Sequence, residues 1–362
     1  MAKPVRKRRW VLRIALAGLL VLVTYFLAWP TPIDPVGWNP PAAPALEGVF
    51  DLNTDLADAR LMGVGVGRGP ETVAVHPHWG AFAGYEDGRV MRFPHDDSAP
   101  VEIVNTQGRP LGLAFDPDGR LVIADAWRGL LRFDLETETL VTLADRFGNE
   151  LFRFTDDVTV ARDGTIYFTD ASTKFAIDEY IYDFLEHRPH GRLYAFDPTT
   201  AETRLLLDDL YFANGVALAP DESFLVVNET GAYRARRLWL SGERAGETDT
   251  LIENLPGFPD GISAGANGVY WIALVSPRDA VVDWCGPRPF VREVFARAPA
   301  WAQPATRRHG FILGVTADGE VVYNLQDPTG ERIWTISAVT EHEGSLYLGT
   351  LEMDAFGILA VP

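Results

Sequence analysis

Oxygen-bearing side chains recur at one phase of a repeated pattern in this 362-residue chain. A turn rich in glycine or proline is followed by one variable residue, and an alternating apolar run begins two residues later. The six copies are "PETVAVHPHWG", "PLGLAFDPDG", "TDDVTVARDG", "ANGVALAPDES", "PDGISAGANG" and "WTISAVTEHEG". The variable position is occupied by Glu71, Leu111, Asp156, Asn214, Asp260 and Thr335. Four of these six positions, which we call the ring positions for the arrangement argued below, carry a carboxylate or an amide oxygen.

These four residue types are typical ligands of a hard cation. If the positions converge, the carboxylates of Glu71, Asp156 and Asp260 repel one another unless a cation neutralises them. No cysteine or histidine shares the position, and Ca²⁺ accepts six to eight oxygen ligands at about 2.3–2.6 Å. The sequence therefore predicts one bound Ca²⁺. The alternative is that each Asp or Asn caps its own turn and faces water.

The elements that must position these residues are strands. Short β-branched and aromatic runs bounded by Gly or Asp are typical of strands, and helical periodicity is scarce. Six runs start at Gly80, Gly119, Gly164, Ser223, Gly268 and Gly344, with spacings of 39, 45, 59, 45 and 76 residues. Such spacings indicate propeller blades, the longer ones holding insertions. We predict an all-β, six-bladed β-propeller over residues 56–362, whose innermost strands bring the six positions into a ring. A pair of β-sandwiches would not explain the common phase.

The amino terminus predicts a single-pass membrane anchor. Six basic residues lie among the first 13, and an apolar run from Trp10 to Trp29 is interrupted only by Arg13. As a helix, this run spans about 30 Å, the thickness of a hydrocarbon core. We expect a cytoplasmic tail at 1–9, a transmembrane anchor at 10–29 and a Pro-rich stalk at 30–55. The propeller then lies on the periplasmic or extracytoplasmic side. A cleavable signal peptide is the alternative, although no small-x-small site directly follows the run.

The overall composition excludes some classes of function. The formal net charge is −18, and beyond residue 13 the chain holds 26 basic against 50 acidic residues. Such a body repels nucleic acid and favours cations. The one cysteine, Cys285, excludes an intrachain disulfide.

Several segments, in order along the chain, resemble one known family. They include "RPLGLAFDPDGRLVIADAWRGLL", "TDDVTVARDGTIYFTDAS", "FANGVALAPDESFLVVNET" and "LPGFPDGI". The likeness, over roughly residues 61–359, is to the strictosidine synthase-like, adipocyte plasma membrane-associated protein-like branch of the SMP-30/gluconolactonase superfamily. It implies a six-bladed propeller, an amino-terminal anchor as in the membrane-associated members, and an axial catalytic calcium as in the lactonases and esterases. The resemblance places the metal ligands at Glu71, Asp156, Asn214 and Asp260.

The chain also departs from the family pattern. Asp156 stands where an asparagine is usual, which adds negative charge to the site. Gly261 follows Asp260 where relatives often present an amide side chain. Strictosidine synthases themselves perform a condensation without calcium, using a late-blade glutamate. Glu341 and Glu343 of "TEHEG" leave that chemistry open as an alternative.

The expected function is calcium-dependent hydrolysis of a lactone or ester, as in an arylesterase. The ion would polarise the carbonyl, and Asp260 would act as general base. Asp125 and Asp170 follow blade strands and could assist, although loop capping is the favoured role for each. A calcium-stabilised propeller that binds a ligand without turnover is the alternative from another class.

The remaining features concern an insertion and the histidines. In the insertion from Val281 to Arg308, apolar residues at 290, 291, 294 and 295 predict one face of a short helix. The insertion could cover the pocket, dock on a membrane or simply pack. The histidine pairs at 76 and 78 and at 187 and 190 lie in turn-like sequence, and we expect them to face solvent.

Overall fold

Six four-stranded antiparallel sheets form the body of the protein in the computed structural model, which describes residues 5–96 and 98–362. From the axis outwards, blade 1 holds Val73–His76, Gly80–Gly84, Arg89–Phe93 and Val101–Asn105. Blade 2 holds Pro110–Phe115, Leu121–Asp125, Gly129–Asp134 and Thr139–Ala144. Blade 3 holds Thr155–Val160, Ile166–Asp170, Gly191–Asp197 and Glu202–Leu210. The predicted six-bladed propeller is confirmed.

The second half of the chain forms blades 4, 5 and 6. Blade 4 holds Ala213–Leu218, Phe224–Glu229, Arg234–Trp239 and Thr248–Ile252. Blade 5 holds Gly257–Ala264, Val269–Pro277, Gly310–Thr316 and Val321–Asp327. Blade 6 holds Ile336–His342, Ser345–Thr350, Phe356–Ala360 and, outermost, Arg60–Met62. Because that last strand comes from the start of the body, its pairing with Phe356–Ala360 closes the ring.

The hydrophobic core lies between adjacent blades, not in one central mass. Phe82 and Val90 of blade 1, for example, pack against Ile123 and Leu131 of blade 2. Among the described residues, equivalent clusters fill the five other interfaces between adjacent blades. Strands such as Gly80–Gly84 and Leu121–Asp125 are buried along their whole length, because each sheet packs against a neighbouring blade on both faces. This packing orients the first strand of every blade towards the axis.

The amino-terminal helix α1, Val5–Ala28, is the described helix that is long and apolar enough to cross a membrane. Its segment Arg9–Ala28 has a mean hydropathy of 2.3 and none of it is buried against the protein. It is therefore a candidate membrane span, as the sequence predicted.

Residues 30–55, which we call the strap, lie along the propeller. The strap is held by hydrogen bonds from Val36 N to Glu186 O and from Trp38 N to Gly286 O, each of 3.0 Å. Ile33 is buried. The segment expected to be a stalk is thus packed against the body. A short 3₁₀-helix, Gly48–Phe50, lies within it.

Two insertions account for the long blade spacings, and both join the second and third strands of their blade. In blade 3, residues 171–190 contain the 3₁₀-helix Ile177–Glu179 and the helix α2, Tyr180–Glu186. In blade 5, residues 278–308, which we call the lid, contain α3, Ala280–Cys285, α4, Pro289–Ala296, and the 3₁₀-helix Ala300–Ala302. The remaining short elements are the 3₁₀-helices Thr230–Ala232 and Ala266–Gly268 and the strands Arg146–Phe147 and Glu150–Leu151.

The short helix expected in the lid is α4, and Phe295 of its apolar face packs against a buried cluster that includes Ile33 and Leu185. Arg292 and Ala296 are the buried residues of α4, whereas Phe290 is 53% exposed. The Arg292 guanidinium is buried because it donates to backbone carbonyls, including Leu185 O at 3.1 Å and Gly286 O at 2.9 Å. Periodicity alone did not foresee an arginine in that role.

Candidate functional site

Four of the six ring positions coincide with irregularities in the inner strands. The pairing of first and second strands shifts register between Pro110 and Gly112, between Thr155 and Val158, between Ala213 and Val216, and between Pro259 and Ile262. Each shift encloses a ring position. A bulge at the rim of a sheet re-aims a side chain that regular pairing would direct along the face. The glycine- and proline-rich turns therefore serve to orient these side chains.

The structure brings the four oxygen-bearing residues together. Glu71, Asp156, Asn214 and Asp260, with Leu111, line one cavity of about 350 Å³. All four are buried, with exposures of 7%, 4%, 7% and 3%. Thr335 is buried but is not among the residues that line the cavity. The ring thus supplies its donors from blades 1, 3, 4 and 5.

The carboxylates of this group influence one another electrostatically. Burial raises the pKa of Glu71, and it raises the pKa of Asp156 and Asp260 well above the usual range. The neighbouring charges of Glu71 and Asp260 raise the pKa of Asp156 further. The Asp156 Oδ2 atom is buried without a hydrogen-bond partner. An unpartnered carboxylate oxygen beside further oxygen donors fits a hard cation.

An arginine that sequence reasoning missed lies in the same cavity. Arg109 Nη2 donates to Glu71 Oε2 over 3.0 Å, and its Nη1 donates to Gly69 O over 3.0 Å. The guanidinium lowers the pKa of Glu71 and so opposes the effect of burial. In the described part of the chain, no three Asp, Glu, His or Cys side chains meet closely enough to enclose a metal ion. A cation would rely on Asp156, Asp260 and the Asn214 amide and would share Glu71 with Arg109.

Aromatic side chains form the walls above the oxygen donors. Phe212 stacks on Phe184 of α2 with ring centroids 4.6 Å apart, and it meets the edge of Phe154 at 5.4 Å. On the other side, Tyr233 and Phe258 are 5.0 Å apart. All five line the cavity. The arrangement can hold an apolar ligand body while its polar end reaches the carboxylates.

The strap contributes to the cavity wall through Trp38. The Trp38 ring stacks on His187 at 4.1 Å, and His187 stacks on Tyr211 at 4.7 Å. The expectation that His187 faces solvent is therefore wrong. Burial and the nearby Arg292 charge lower the pKa of His187 to about 3, so the imidazole is neutral at physiological pH. His187 ends α2 in the left-handed conformation, with φ of 52°, which directs it inwards.

Asp125 and Asp170 have the capping role favoured from sequence. Asp125 Oδ1 accepts from the backbone N–H of Arg109 over 3.0 Å, and Asp170 Oδ1 accepts from Phe154 N over 2.7 Å. Each carboxylate thereby ties the end of a second strand to the residue that enters the inner strand of its blade. Neither lines the cavity. They position the ring without joining it.

The late-blade glutamates also lie outside the cavity. Glu341 Oε2 accepts from Trp271 Nε1 over 2.7 Å and from Ala266 N over 3.2 Å. Glu343 follows the carboxyl end of the inner strand Ile336–His342, whereas the ring positions lie at the amino ends. Blade 6 instead presents Glu352 to the cavity, where it accepts from Thr306 Oγ1 over 2.5 Å. The sequence alternative based on "TEHEG" therefore has no support in the geometry.

Gly261 has a steric explanation. A Cβ atom at this position would lie 2.6 Å from Ser337 O and 3.1 Å from Ala338 Cα. Blade 6 approaches blade 5 so closely here that no amide side chain fits beside Asp260. The departure from the family pattern thus follows from inter-blade packing.

Comparison with known sequences gives consistent matches. The strictosidine synthase family profile matches residues 156–243, and the profile of the strictosidine synthase-like N-terminal region matches residues 48–93. The Arabidopsis thaliana protein STRICTOSIDINE SYNTHASE-LIKE 6 is 37% identical over 302 residues, covering 82% of this chain and 80% of the relative. Adipocyte plasma membrane-associated protein from Rattus norvegicus is 32% identical over 360 residues, covering 94% and 96%.

Solved structures with the same fold include two of named function. A gluconolactonase from Xanthomonas campestris superposes with a TM-score of 0.61 at 18% identity, covering 84% of this chain and 90% of its own. Regucalcin from Agrobacterium tumefaciens, described as a calcium-binding protein, superposes with a TM-score of 0.57 at 14% identity, covering 81% and 92%. At these identities the likeness establishes the fold alone.

Proposed function

The chain belongs to the strictosidine synthase-like family, and from that premise we propose that it is a membrane-associated, calcium-dependent hydrolase of lactones or esters. The observation that carries the proposal is the unpartnered Asp156 Oδ2, buried beside Asp260 and Asn214 at the oxygen-lined part of an aromatic cavity. The gluconolactonase and the calcium-binding regucalcin with the same fold support this choice of chemistry.

The residues of the cavity have separate roles in the proposed reaction. Glu71, Asp156, Asn214 and Asp260 would hold the ion, which when bound supplies Lewis-acid polarisation of the carbonyl oxygen. Asp260, which hydrogen-bonds to Asn214, is the general base that accepts the proton of the attacking water. The aromatic walls orient the apolar part of the substrate and exclude bulk water, which strengthens the electrostatic interactions in the site.

Membrane association follows from the helix α1 and from the plasma membrane-associated relatives. We infer that α1 is an uncleaved anchor with its basic amino end in the cytoplasm, since positive charge is retained on that side. The propeller then lies on the extracytoplasmic side. The substrate would be a small molecule that reaches the cavity from that compartment or from the bilayer.

A ligand-binding propeller without turnover is the second candidate, and the pairing of Arg109 with Glu71 favours it. The guanidinium already neutralises one of the three carboxylates, so the cavity needs less positive charge from an ion. In this case an anionic group of the ligand could replace Glu71 as the partner of Arg109. The cavity would then bind an amphipathic acid and release it unchanged.

One titration distinguishes the two functions. The full chain in detergent, freed of metal with a chelator, is titrated with Ca²⁺ while melting temperature and hydrolysis of a panel of lactones and aryl esters are followed together. A joint rise of both supports the hydrolase. A rise of melting temperature alone supports the binding protein, and no change in either contradicts the calcium site.

A further inference from the structure

The lid carries large apolar side chains on its outer surface. Val281 and Trp284 of α3 are each 52% exposed, and Phe290 of α4 is 53% exposed. Trp301, in the following 3₁₀-helix, is 86% exposed. Single exposed apolar residues are ordinary on a protein surface. Four on one insertion, three of them aromatic, indicate a surface that something covers.

The end of the membrane-spanning candidate α1 is attached to the same lid. Tyr25 Oη donates to Arg297 O over 3.2 Å, while Arg297 Nε donates to Trp29 O over 2.6 Å. Arg297 Nη1 also donates to Phe26 O over 3.2 Å. Arg297 immediately follows α4. The last turn of α1 and the carboxyl end of α4 are thus joined by three hydrogen bonds.

This attachment sets the depth of the lid relative to a bilayer. Tyr and Trp at the end of a spanning helix lie at the membrane interface, so Tyr25 and Trp29 place Arg297 at the level of the headgroups. Trp301 is four residues further and lies within about 14 Å along the chain. Phe290 is seven helical residues earlier, about 10 Å away. The exposed aromatic residues of the lid are therefore within reach of the interface.

The charge of the lid differs from that of the rest of the body. Residues 278–308 contain six arginines and three acidic residues, whereas residues 14–362 as a whole contain 26 basic and 50 acidic residues. Arg278 and Arg292 are buried, but Arg288, Arg307 and Arg308 are exposed, while the three acidic residues of the lid are half-buried. A basic surface is attracted to anionic headgroups, and an acidic one is repelled. Tethering through α1 makes contact with the bilayer intramolecular, so a weak surface is sufficient. The charge of the lid, its exposed aromatic residues and its attachment to α1 all indicate that the lid contacts the bilayer.

We propose that the lid is a membrane-docking surface that rests on the leaflet at the carboxyl end of α1, with Trp284, Phe290 and Trp301 in the interfacial layer. The same helices reach the cavity from their other side, through Val282, Cys285 and Phe295. Docking therefore places the mouth of the cavity at the membrane surface. Where the proposed function holds, it follows that the substrates are amphipathic esters or lactones dissolved in the bilayer.

The test uses the full chain in vesicles of equal parts phosphatidylcholine and phosphatidylglycerol, with the phosphatidylcholine brominated near the top of its acyl chains. In a Cys285→Ala background, Trp301→Cys is labelled with an environment-sensitive fluorophore. The matched control is Trp79→Cys. Trp79 is 44% exposed and lies in the turn after the inner strand of blade 1, at the opposite end of that strand from the cavity. We expect blue-shifted, quenched emission at 301 and unquenched emission at 79. Equal quenching at both positions overturns the proposal.

A second variant separates docking from mere proximity to the anchor. Adding Trp284→Ser and Phe290→Ser to the chain labelled at 301 keeps α1 but removes the apolar contacts, and we expect quenching to fall several-fold. Quenching that is unchanged contradicts the proposal. Protection of the label that depends on protein concentration but not on brominated lipid assigns the surface to a second copy and also contradicts it. If Trp301→Cys does not fold, Phe290→Cys takes its place. None of these readouts depends on hydrolysis, so failure of docking and failure of the proposed function are distinguishable.

Discussion

The Arg109 guanidinium lies 3.0 Å from Glu71 Oε2, and this buried ion pair joins blade 2 to blade 1 at the edge of the cavity. Asp125, at the end of the second strand of blade 2, accepts a hydrogen bond from the backbone N–H of Arg109. It thereby holds Arg109 at the start of the inner strand. If the proposed calcium site exists, Glu71 would have to serve both Arg109 and the ion. Whether the two compete for this carboxylate is testable by mutation.

Replacing Arg109 by glutamine should destabilise the metal-free protein and tighten calcium binding. Breaking a buried pair leaves an uncompensated charge, which costs about 3–5 kcal/mol. With its partner removed, Glu71 becomes free to bind the ion, so we expect calcium affinity to rise about tenfold, the equivalent of one full unit on a logarithmic scale. Denaturant unfolding and calorimetric titration measure the two effects. Arg120→Gln, which loses ion pairs to Asp116 and Asp118, is the matched control and should leave calcium affinity unchanged. Equal affinity in both variants would refute sharing of Glu71.

Asp260→Asn should remove hydrolysis while the propeller remains folded. A general base contributes about 10²–10⁴-fold to the rate, so kcat should fall by at least about a hundredfold. The isosteric amide keeps the volume of the buried side chain, and it also removes a carboxyl whose pKa burial raises. Steady-state kinetics with the best ester of the panel measures the loss. Glu341→Gln, outside the cavity, should retain parental kcat; full activity of Asp260→Asn would reject its assignment as the base.

The buried Asp183 of α2 predicts a dependence of stability on pH. Burial raises the pKa of Asp183 to about 7, and its Oδ2 has no hydrogen-bond partner. Because the folded state holds this proton more tightly than the unfolded state, its contribution to stability is complete below about pH 4 and is lost as pH rises through about 7. Asp183→Asn cannot lose the proton, so its melting temperature should exceed the parent's at pH 8, with the difference vanishing towards pH 4.

The expected gain for Asp183→Asn at pH 8 is on the order of 1–3 kcal/mol. Thermal melts across this pH range provide the measurement. The control is the exposed Asp178→Asn on the neighbouring 3₁₀-helix, whose melting curve should follow the parent's at every pH. A difference between Asp183→Asn and parent that does not change with pH would assign the effect to packing alone.

Gly261→Ala should disturb the contact between blades 5 and 6 next to Asp260. The added methyl group would lie 2.6 Å from Ser337 O, so backbone must shift, and overpacking of this kind costs about 1–3 kcal/mol. We also expect weaker calcium affinity, because Asp260 precedes the displaced residue. Gly37→Ala serves as control, since its Cβ would meet Pro289 at an ordinary 3.8 Å. Unfolding curves that coincide for the two variants would rule out the steric account of Gly261.

The six blades and the clustering of the four oxygen-bearing side chains at one cavity were predictable, because both depend on local patterns. Alternating apolar runs specify strands, and their common phase placed Asp156, Asn214 and Asp260 at equivalent points of three blades. Leu111 shares the cavity, as the ring predicts, whereas Thr335 does not line it. One residue of uncertainty in aligning an inner strand is enough to produce that difference, since successive side chains point to opposite faces.

The residues that sequence reasoning missed all depend on contacts between distant segments. Arg109 and Glu71 are 38 positions apart and meet only because adjacent blades converge at the axis. His187 is buried because Trp38, from a different part of the chain, stacks on it. The sequence next to Arg109 and next to His187 gives no sign of these contacts, because the same residue types are common in ordinary polar turns.

The sequence by itself determined the strand-turn repeat, the apolar amino-terminal helix and the set of oxygen donors, because each is encoded within a few neighbouring residues. Tertiary structure alone decided that Arg109 pairs with Glu71, that Trp38 and His187 form part of the cavity wall, and that α1 ends against Arg297 of the lid. These arrangements arise where blades, strap and insertions pack together. The free energy of such contacts depends on geometry in three dimensions, which no run of adjacent residues encodes.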